Sequence, residues 1–421
     1  MTKFIIAALV SAFATQVSAT NKPIHFLAFG DGGYHVDYPK TKHIKKPKNR
    51  QQFLAAEVQD WLEDHRAIDD FDHAPIHVYP GTNIATEKGG ALAVGQAMAK
   101  YCESNPCNFG IQLGDNIYPD GADANDGKDD QQRMNDLILR PMSPVIAQNP
   151  DFMIYSALGN HDWKTSRKGV ALQTKWMQQQ PNFHMAESGY YRYTKGTPGN
   201  DVEFFVLDTN MLLSAKSFYE APLNPDGSEM DLAHAKQHNL GSWENPEPHE
   251  RPKAGEDKKQ LNWLIDGLKT STAKWKVVYG HHILWSVGGT KYAEGHVLRD
   301  LLMPSLCQYA DAYIAGHEHD LELLTDDCSV YGQAHKPKLP LIISGAASKM
   351  RGQHSKFAKW QEQTYPQMDY VWGKAFIWGF ANIALDSQNN QLTVDFYSTP
   401  RNGSGALVNE QRFQFSRRST N

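Results

Sequence analysis

Five short segments of this chain set metal-ligating side chains beside glycine. They are Gly30-Asp31, Gly114-Asp115-Asn116, Gly159-Asn160-His161-Asp162, Gly280-His281-His282 and Gly316-His317-Glu318-His319. Asp31 and Asp115 offer carboxylates, Asn160 an amide oxygen, and His281, His317 and His319 imidazoles; Tyr118 adds a phenol three residues after Asp115. This mixed oxygen and nitrogen set exceeds what one tetrahedral zinc site uses. Two metal ions sharing one carboxylate would use it well, and a pair roughly 3.5–4 Å apart is the usual arrangement for hydrolysing phosphate esters. On an extended segment His317 and His319 point the same way, so both could reach neighbouring ions. Singly, Gly-Asp-Asn or Gly-Asn-His-Asp reads as a turn or helix cap. Five together point to one shared site.

Each motif follows an apolar run: Ile24 to Phe29, Phe109 to Leu113, Phe152 to Leu158, Trp275 to Tyr279 and Tyr313 to Ala315. These read as strands that supply rigidity, with ligands on the turns at their ends. Further strands are expected at Phe204 to Leu207, Leu339 to Ser344, Phe380 to Leu385 and Leu392 to Tyr397. Helical stripes fall at Leu54, Val58, Trp61 and Leu62, at Leu261, Leu264, Ile265 and Leu268, and at Leu298, Leu301 and Leu302, and read as core-packing faces. The expected fold is a layered α/β architecture of two packed mixed sheets flanked by helices.

The chain has 421 residues and a formal net charge of −5, which gives no reason to expect nucleic-acid binding. Lys3, the apolar run Phe4 to Ala14 and Val17-Ser18-Ala19 read as a signal peptide over residues 1–19. Export, periplasmic or outside the cell, is therefore expected, with no membrane span. In that setting the four cysteines read as disulfides. Cys102 and Cys107 could close a small loop, and Cys307 and Cys328 flank the His317/His319 motif; sequence alone leaves the three pairings open. Residues 37–88 and 220–258 look like insertions in a single domain over 20–421. The first carries a basic run (Lys40, Lys42, Lys45, Lys46, Lys48, Arg50), then Asp69, Asp70 and Asp72. Both read as solvated surface excursions, with a lid over the site as the alternative.

The order of motifs resembles the calcineurin-like metallophosphoesterases, and within them the purple acid phosphatases of the small tartrate-resistant type. That family's fold is an αββα sandwich. In the wider superfamily the first motif is Asp-x-His with a ligating His; here Gly33 stands at that position. Purple acid phosphatases share the omission and carry a Tyr in Gly-Asp-Asn-x-Tyr, which is Tyr118 here. The resemblance extends to Phe204 through Thr209, Trp285-Ser286 and Ser344-Gly345-Ala346, and covers roughly residues 24–400. The first strand begins too early for the extra N-terminal β-domain of the large plant-type enzymes.

The resemblance implies that Asp31, Tyr118 and His319 hold a first metal, Fe(III). Asn160, His281 and His317 would hold a second, divalent Fe, Zn or Mn, and Asp115 would bridge the two. It implies hydrolysis of small phosphomonoesters by a metal-held hydroxide, with His161 facing the leaving-group oxygen. No protein partner is implied. Several positions depart from the family. The first motif reads Gly-Asp-Gly-Gly, and Val287 to Thr290 lacks the His that many members carry. His296 could substitute for it as a catalytic residue or merely open a helix. His35 could enter the site, even in place of Tyr118. A phosphodiesterase or nucleotide hydrolase on the same scaffold, and a non-hydrolytic secreted metal-binding protein, are the alternatives.

Overall fold

The computed structural model describes residues 22–39, 45–244, 253 and 255–418. The expected signal peptide, Lys40 and Lys42 lie outside the described residues, as does part of the 220–258 segment.

Two seven-stranded sheets dominate. From edge to edge the first runs Val408–Ser416, Gln391–Thr399, Trp378–Asp386, Ile24–Phe29, Phe109–Gln112, Met153–Ser156, Phe183–His184. The second runs Met368–Lys374, Leu321–Asp326, Leu339–Ser344, Ala312–Ala315, Trp275–Tyr279, Asn200–Val206, Tyr191–Thr197. In the first sheet Ile24–Phe29, Phe109–Gln112 and Met153–Ser156 are mutually parallel, with Phe26 opposite Phe109 and Ile111 opposite Tyr155. In the second, Asn200–Val206, Trp275–Tyr279, Ala312–Ala315 and Leu339–Ser344 are parallel neighbours. Phe183–His184 adds a further parallel edge to the first sheet, and antiparallel strands fill the remaining places in both, so both are mixed, as expected.

The sheets face each other across a core to which both contribute. Phe26, Phe109, Ile111 and Ile383 come from the first sheet, and Val202, Phe204, Val277 and Ile314 from the second. Phe204 meets Phe26 and Phe109 edge-on at centroid distances of 5.0 and 5.6 Å, tying the layers together. Strands buried on both faces read as continuous apolar runs. That is why Trp275–Tyr279 and Leu339–Ser344 have the bounds expected from sequence. Outside the first sheet lies a helical layer that includes Ala91–Ser104 and Arg140–Gln148; outside the second lie Glu256–Thr270 and Tyr292–Tyr309.

The helix Arg50–Glu63 keeps the expected stripe at Trp61 and departs from it elsewhere. Its buried residues are Phe53 and Trp61, whereas Leu62 is 50% exposed. The 37–88 segment is also more than solvated decoration. Buried Arg66 donates from its two terminal nitrogens to Gly352 O and Gly288 O, both at 2.7 Å, clamping the segment to two distant loops. Disulfides join Cys102 to Cys107 and Cys307 to Cys328. Among the described residues no helix is long and apolar enough to cross a membrane.

Candidate metal centre

Parallel strands from both sheets end at one place. Asp31 follows Ile24–Phe29, Asp115 and Tyr118 follow Phe109–Gln112, and Asn160 and His161 follow Met153–Ser156; His281 follows Trp275–Tyr279, and His317 and His319 follow Ala312–Ala315. Ligands and reactive groups in such sheets gather at the carboxyl ends of the strands. Asp31, Asp115 and His317 have φ of 58, 52 and 70°, a left-handed conformation that non-glycine residues seldom adopt. It turns each side chain out of its strand line, and such strain persists where surrounding structure enforces it.

One cluster centres on Tyr118. Its hydroxyl lies 2.6 Å from Asp115 Oδ2, 3.0 Å from Asp31 Oδ1 and 3.1 Å from His319 Nε2. The second centres on His281, whose Nε2 lies 3.1 Å from Asn160 Oδ1, 3.0 Å from His317 Nδ1 and 3.4 Å from Asp115 Oδ1. Asp115 thus touches both clusters, one through each oxygen. The ligand atoms of Asp31, Asp115 and His319 all lie within 4.8 Å of one another, as do those of His281, His282 and His317.

The second cluster fits a cation for a specific reason. His281 Nδ1 faces Leu113 O at 2.7 Å, and a carbonyl only accepts, so the proton is on Nδ1 and Nε2 carries a lone pair. His317 Nε2 faces Glu294 Oε2 at 2.7 Å, so its Nδ1 also carries a lone pair. Lone pairs of two imidazoles, an amide oxygen and a carboxylate then converge, an arrangement that repels itself without a positive charge between them. The first cluster has two buried carboxylates and a phenol, a donor set suited to a hard ion. His319 differs from the other two. Arg351 Nε–H donates to its Nδ1 at 2.9 Å, so a neutral His319 carries its proton on Nε2 and would have to give it up for that nitrogen to hold a metal.

Burial shapes the titration of every group. It pushes Asp31 well above the usual carboxylate range, and the charge of Asp115 adds to this. Asp115 feels the same burial, but His281 and His161 beside it hold it low. Burial, then Asp115 and Asp31, push the Tyr118 phenol far up. His281, His317 and His319 are lowered by burial first, which keeps them neutral, the form that ligates.

Gly33 explains why the superfamily's His has no counterpart here. A Cβ at residue 33 would sit 2.2 Å from the carbonyl carbon and oxygen of Asn116. Gly33 N–H donates to Asp115 O and Gly33 O accepts from Tyr118 N–H, at 3.1 and 3.0 Å. The close approach that excludes a side chain at 33 is the one that delivers Tyr118.

The remaining expected residues fall in different places. His161 packs its ring on Tyr118 at 4.1 Å, with Nε2 4.0 Å from Asp115 Oδ2. His35 turns towards Asp37, 3.3 Å away, and Tyr34 rather than His35 meets the Tyr118 ring. His296 is not brought to the clusters. Its Nε2 faces Glu229 at 2.9 Å and its Nδ1 faces Arg299 at 2.7 Å. Two helical residues lie about 200° apart, so Glu294 reaches His317 while His296 points elsewhere.

Supporting residues went unnoticed in the sequence. They include Glu294, Arg351 and Lys164, whose Nζ lies 3.0 Å from His161 Nε2. Asp162 accepts from Gly159 N, Asn116 N and Ile117 N at 2.8, 3.0 and 3.1 Å, and so braces the turns carrying Asp115 and Asn160. Thr209 Oγ1 accepts from His281 N and His282 N and pairs with His282 Nδ1 at 2.8 Å, fixing the fourth motif. Of these, Asp162 lies in the third motif and Thr209 ends the Phe204 to Thr209 stretch of the resemblance, whereas Glu294, Arg351 and Lys164 lie in neither.

Fold and site together define a metallophosphoesterase. Residues 76–321 match the family model described as calcineurin-like phosphoesterase, and the chain belongs to that family. The curated relatives it resembles are named tartrate-resistant and purple acid phosphatases. It is 26% identical to tartrate-resistant acid phosphatase type 5 of Rattus norvegicus over 316 residues, 74% of this chain and 77% of that protein. It is 25% identical to purple acid phosphatase 17 of Arabidopsis thaliana over 263 residues, 61% of this chain and 63% of that protein. Among solved structures, GAP50, described as the anchor in the inner membrane complex of Plasmodium, superposes with a TM-score of 0.55 at 15% identity, covering 95% of this chain and 90% of that one. PhoD superposes with a TM-score of 0.51 at 12% identity, covering 94% and 70%. At these identities the two structures speak for the fold alone.

Proposed function

We propose that the chain is an exported acid phosphatase, a single catalytic domain that hydrolyses phosphomonoesters at a dinuclear metal centre. The observation that carries the reading is the contact of Asp115 with both clusters, one carboxylate oxygen to each. Asp31, Tyr118 and His319 would hold the first metal, Asn160, His281 and His317 the second, and Asp115 both. When bound, the two ions supply Lewis acidity towards the phosphoryl oxygens and activate water as the nucleophile.

The chain's own groups do the rest. His161 N–H donates to Asp115 Oδ1 at 2.8 Å, and its ring lies over Tyr118, which sets the imidazole beside both clusters. Pro119 O accepts from His161 Nδ1, so Nε2 accepts from Lys164 Nζ at 3.0 Å. A proton supplied to Nε2 can pass to the leaving-group oxygen, the general-acid role. Lys291 Nζ, donating to His317 O at 2.6 Å, adds positive charge beside the centre. The two disulfides support the export reading, since such bonds persist in oxidising compartments.

The test is turnover of p-nitrophenyl phosphate against bis(p-nitrophenyl) phosphate by wild type and Asp115→Ala. The expected result is faster hydrolysis of the monoester by wild type and at least a roughly 10³-fold loss in the variant, the scale of a main electrostatic contributor. Preference for the diester would make the chain a phosphodiesterase, and wild-type turnover by Asp115→Ala would refute the mechanism.

A further inference from the structure

A cleft with about 250 Å³ of free space opens beside the metal centre, reaching His319 and Arg351 at its inner end. Its outer wall belongs to the 37–88 segment, and it is aromatic. Trp61 meets Phe71 edge-on at 5.6 Å and lies 5.9 Å from Phe376, which also lines the cleft. Phe376 holds a φ of 50°, an outlier for a bulky residue. Two hydrogen bonds pin it there: its N–H donates to Arg351 O at 2.9 Å, and its carbonyl accepts from Arg401 Nε at 2.8 Å. Strain of this kind clusters at ligand clamps.

The charge of the cleft is uneven. Five carboxylates (Glu57, Asp60, Asp64, Asp72 and Glu87) line it against three cations, Arg66, Lys349 and Arg351. Lys349 pairs with Glu87, Arg66 with Asp64, and Asp72 with Arg401 outside the lining. Glu57 and Asp60 take no part in those three pairs. They stand on the helix Arg50–Glu63 at the spacing that puts them on one face with Phe53 and Trp61. The cleft therefore has a cation, Arg351, beside the centre and excess negative charge along the aromatic wall.

We propose that this cleft is the leaving-group subsite and that it selects phosphomonoesters of aromatic alcohols that are neutral or cationic over anionic ones. The proposal rests on the phosphatase reading above. The inner end faces the metal centre, where the phosphoryl group is held. The ring of the leaving group then lies against Phe71 and Phe376, within the field of Glu57 and Asp60. A positive substituent is attracted there and a carboxylate repelled.

The test compares 4-(aminomethyl)phenyl phosphate, 4-(carboxymethyl)phenyl phosphate and glycerol 2-phosphate, the methylene in the aryl pair insulating the leaving oxygen from the charge. Wild type should favour the aminomethyl ester in kcat/KM by about tenfold or more, within the range a pocket contact supplies. Glu57→Gln/Asp60→Asn should bring the aryl pair to within about threefold of each other, and Phe71→Ala should lower both aryl esters about tenfold, while glycerol 2-phosphate, which brings neither ring nor charge to the cleft, should move by less than about threefold in each variant. Equal turnover of the aryl pair by wild type, or a ratio that the double variant leaves unmoved, overturns the proposal. If wild type hydrolyses none of the three esters, it is the phosphatase reading that fails. The cleft is then decided by calorimetric titration with 4-(aminomethyl)phenol and 4-hydroxyphenylacetate. Preference for the amine that is lost in Glu57→Gln/Asp60→Asn supports the subsite, and no preference overturns it.

Discussion

Gly33 and Tyr118 are coupled by geometry. With a Cβ at 33 only 2.2 Å from the Asn116 backbone, Gly33→Ala forces the 30–34 and 114–118 turns apart. Overpacking of this kind costs about 1–3 kcal/mol or more. The expected outcome is a lower urea midpoint together with lost metal, because Tyr118 moves with the turn. An unchanged midpoint and full metal content would show that the approach is not obligatory. Introducing the superfamily's ligand does not rescue the site: Gly33→His in a Tyr118→Phe background should bind no more metal than Tyr118→Phe alone. A second residue-level prediction concerns colour. Burial and the two neighbouring carboxylates keep the Tyr118 phenol protonated in the metal-free protein. A trivalent iron beside it would favour the phenolate and give a broad visible charge-transfer band. Absorption spectroscopy with metal analysis should find the band in wild type and not in Tyr118→Phe. A colourless wild type holding two divalent metals would remove Tyr118 from the iron-ligand role.

Among the elements, the helix Ser355–Thr364 carries a pH-dependent cap. His354 Nδ1 accepts from Phe357 N–H at 3.2 Å, and its Nε2–H donates to Asp64 O at 3.1 Å, a pattern that only the neutral ring can make. Burial first, and then the charges of Arg66 and Lys356, lower its pKa to about 4. An unfolded histidine titrates near 6.5. Between those values the unfolded chain binds more protons, so stability rises with pH through the window and is lost as pH falls from about 6.5 to about 4. His354→Asn keeps a cap acceptor that takes up no proton. Its denaturation midpoint should therefore fall less steeply over that window than the wild type's; equal slopes would assign the acid loss to other groups. The same scale shows what was legible in the sequence. Strands that end in ligands announce themselves because a buried apolar run, a glycine and a ligand fall within a few residues of one another. The helix Ala91–Ser104 does not, because four alanines and a glycine stand among its buried positions and most of it is buried, leaving little periodic contrast. On Arg50–Glu63 the expected stripe holds at Trp61, but Phe53 is buried in place of the leucines, and Phe53 and Trp61 form the cleft wall. Glu294 and Arg351 lie 23 and 32 residues from the histidines they support, so folding brings them there, whereas Lys164 stands only three residues after His161 and lacks any motif of its own.

At the scale of the whole molecule the metal centre joins two layers whose other contacts are an apolar core and a few hydrogen bonds, such as Tyr279 OH to Tyr155 O and Tyr191 OH to Ser156 O. Asp31, Asp115, Tyr118 and Asn160 hang from the first sheet, and His281, His317 and His319 from the second. Each proposed metal takes ligands from both: Asp31, Tyr118 and Asp115 with His319, and Asn160 and Asp115 with His281 and His317. A metal in either place binds the native arrangement and not the unfolded chain, so its binding free energy adds to stability. At a free metal concentration a thousandfold above Kd, one site contributes about 4 kcal/mol. For a chain of this size that is a rise in Tm of roughly 5 °C. Removal also leaves the lone pairs of His281 and His317 facing each other at 3.0 Å, with Asp31 and Asp115 buried beside them, so the sheets' shared end should loosen. Chelation should therefore lower Tm by at least that amount, and hydrogen exchange should rise selectively in the turns after Phe29, Gln112, Tyr279 and Ala315. The antiparallel strands Gln391–Thr399 and Val408–Ser416, remote from the ligand turns in sheet order, should stay protected. Identical Tm and exchange with and without metal would mean that the seven side chains converge without holding an ion, and the proposed centre would fall with them.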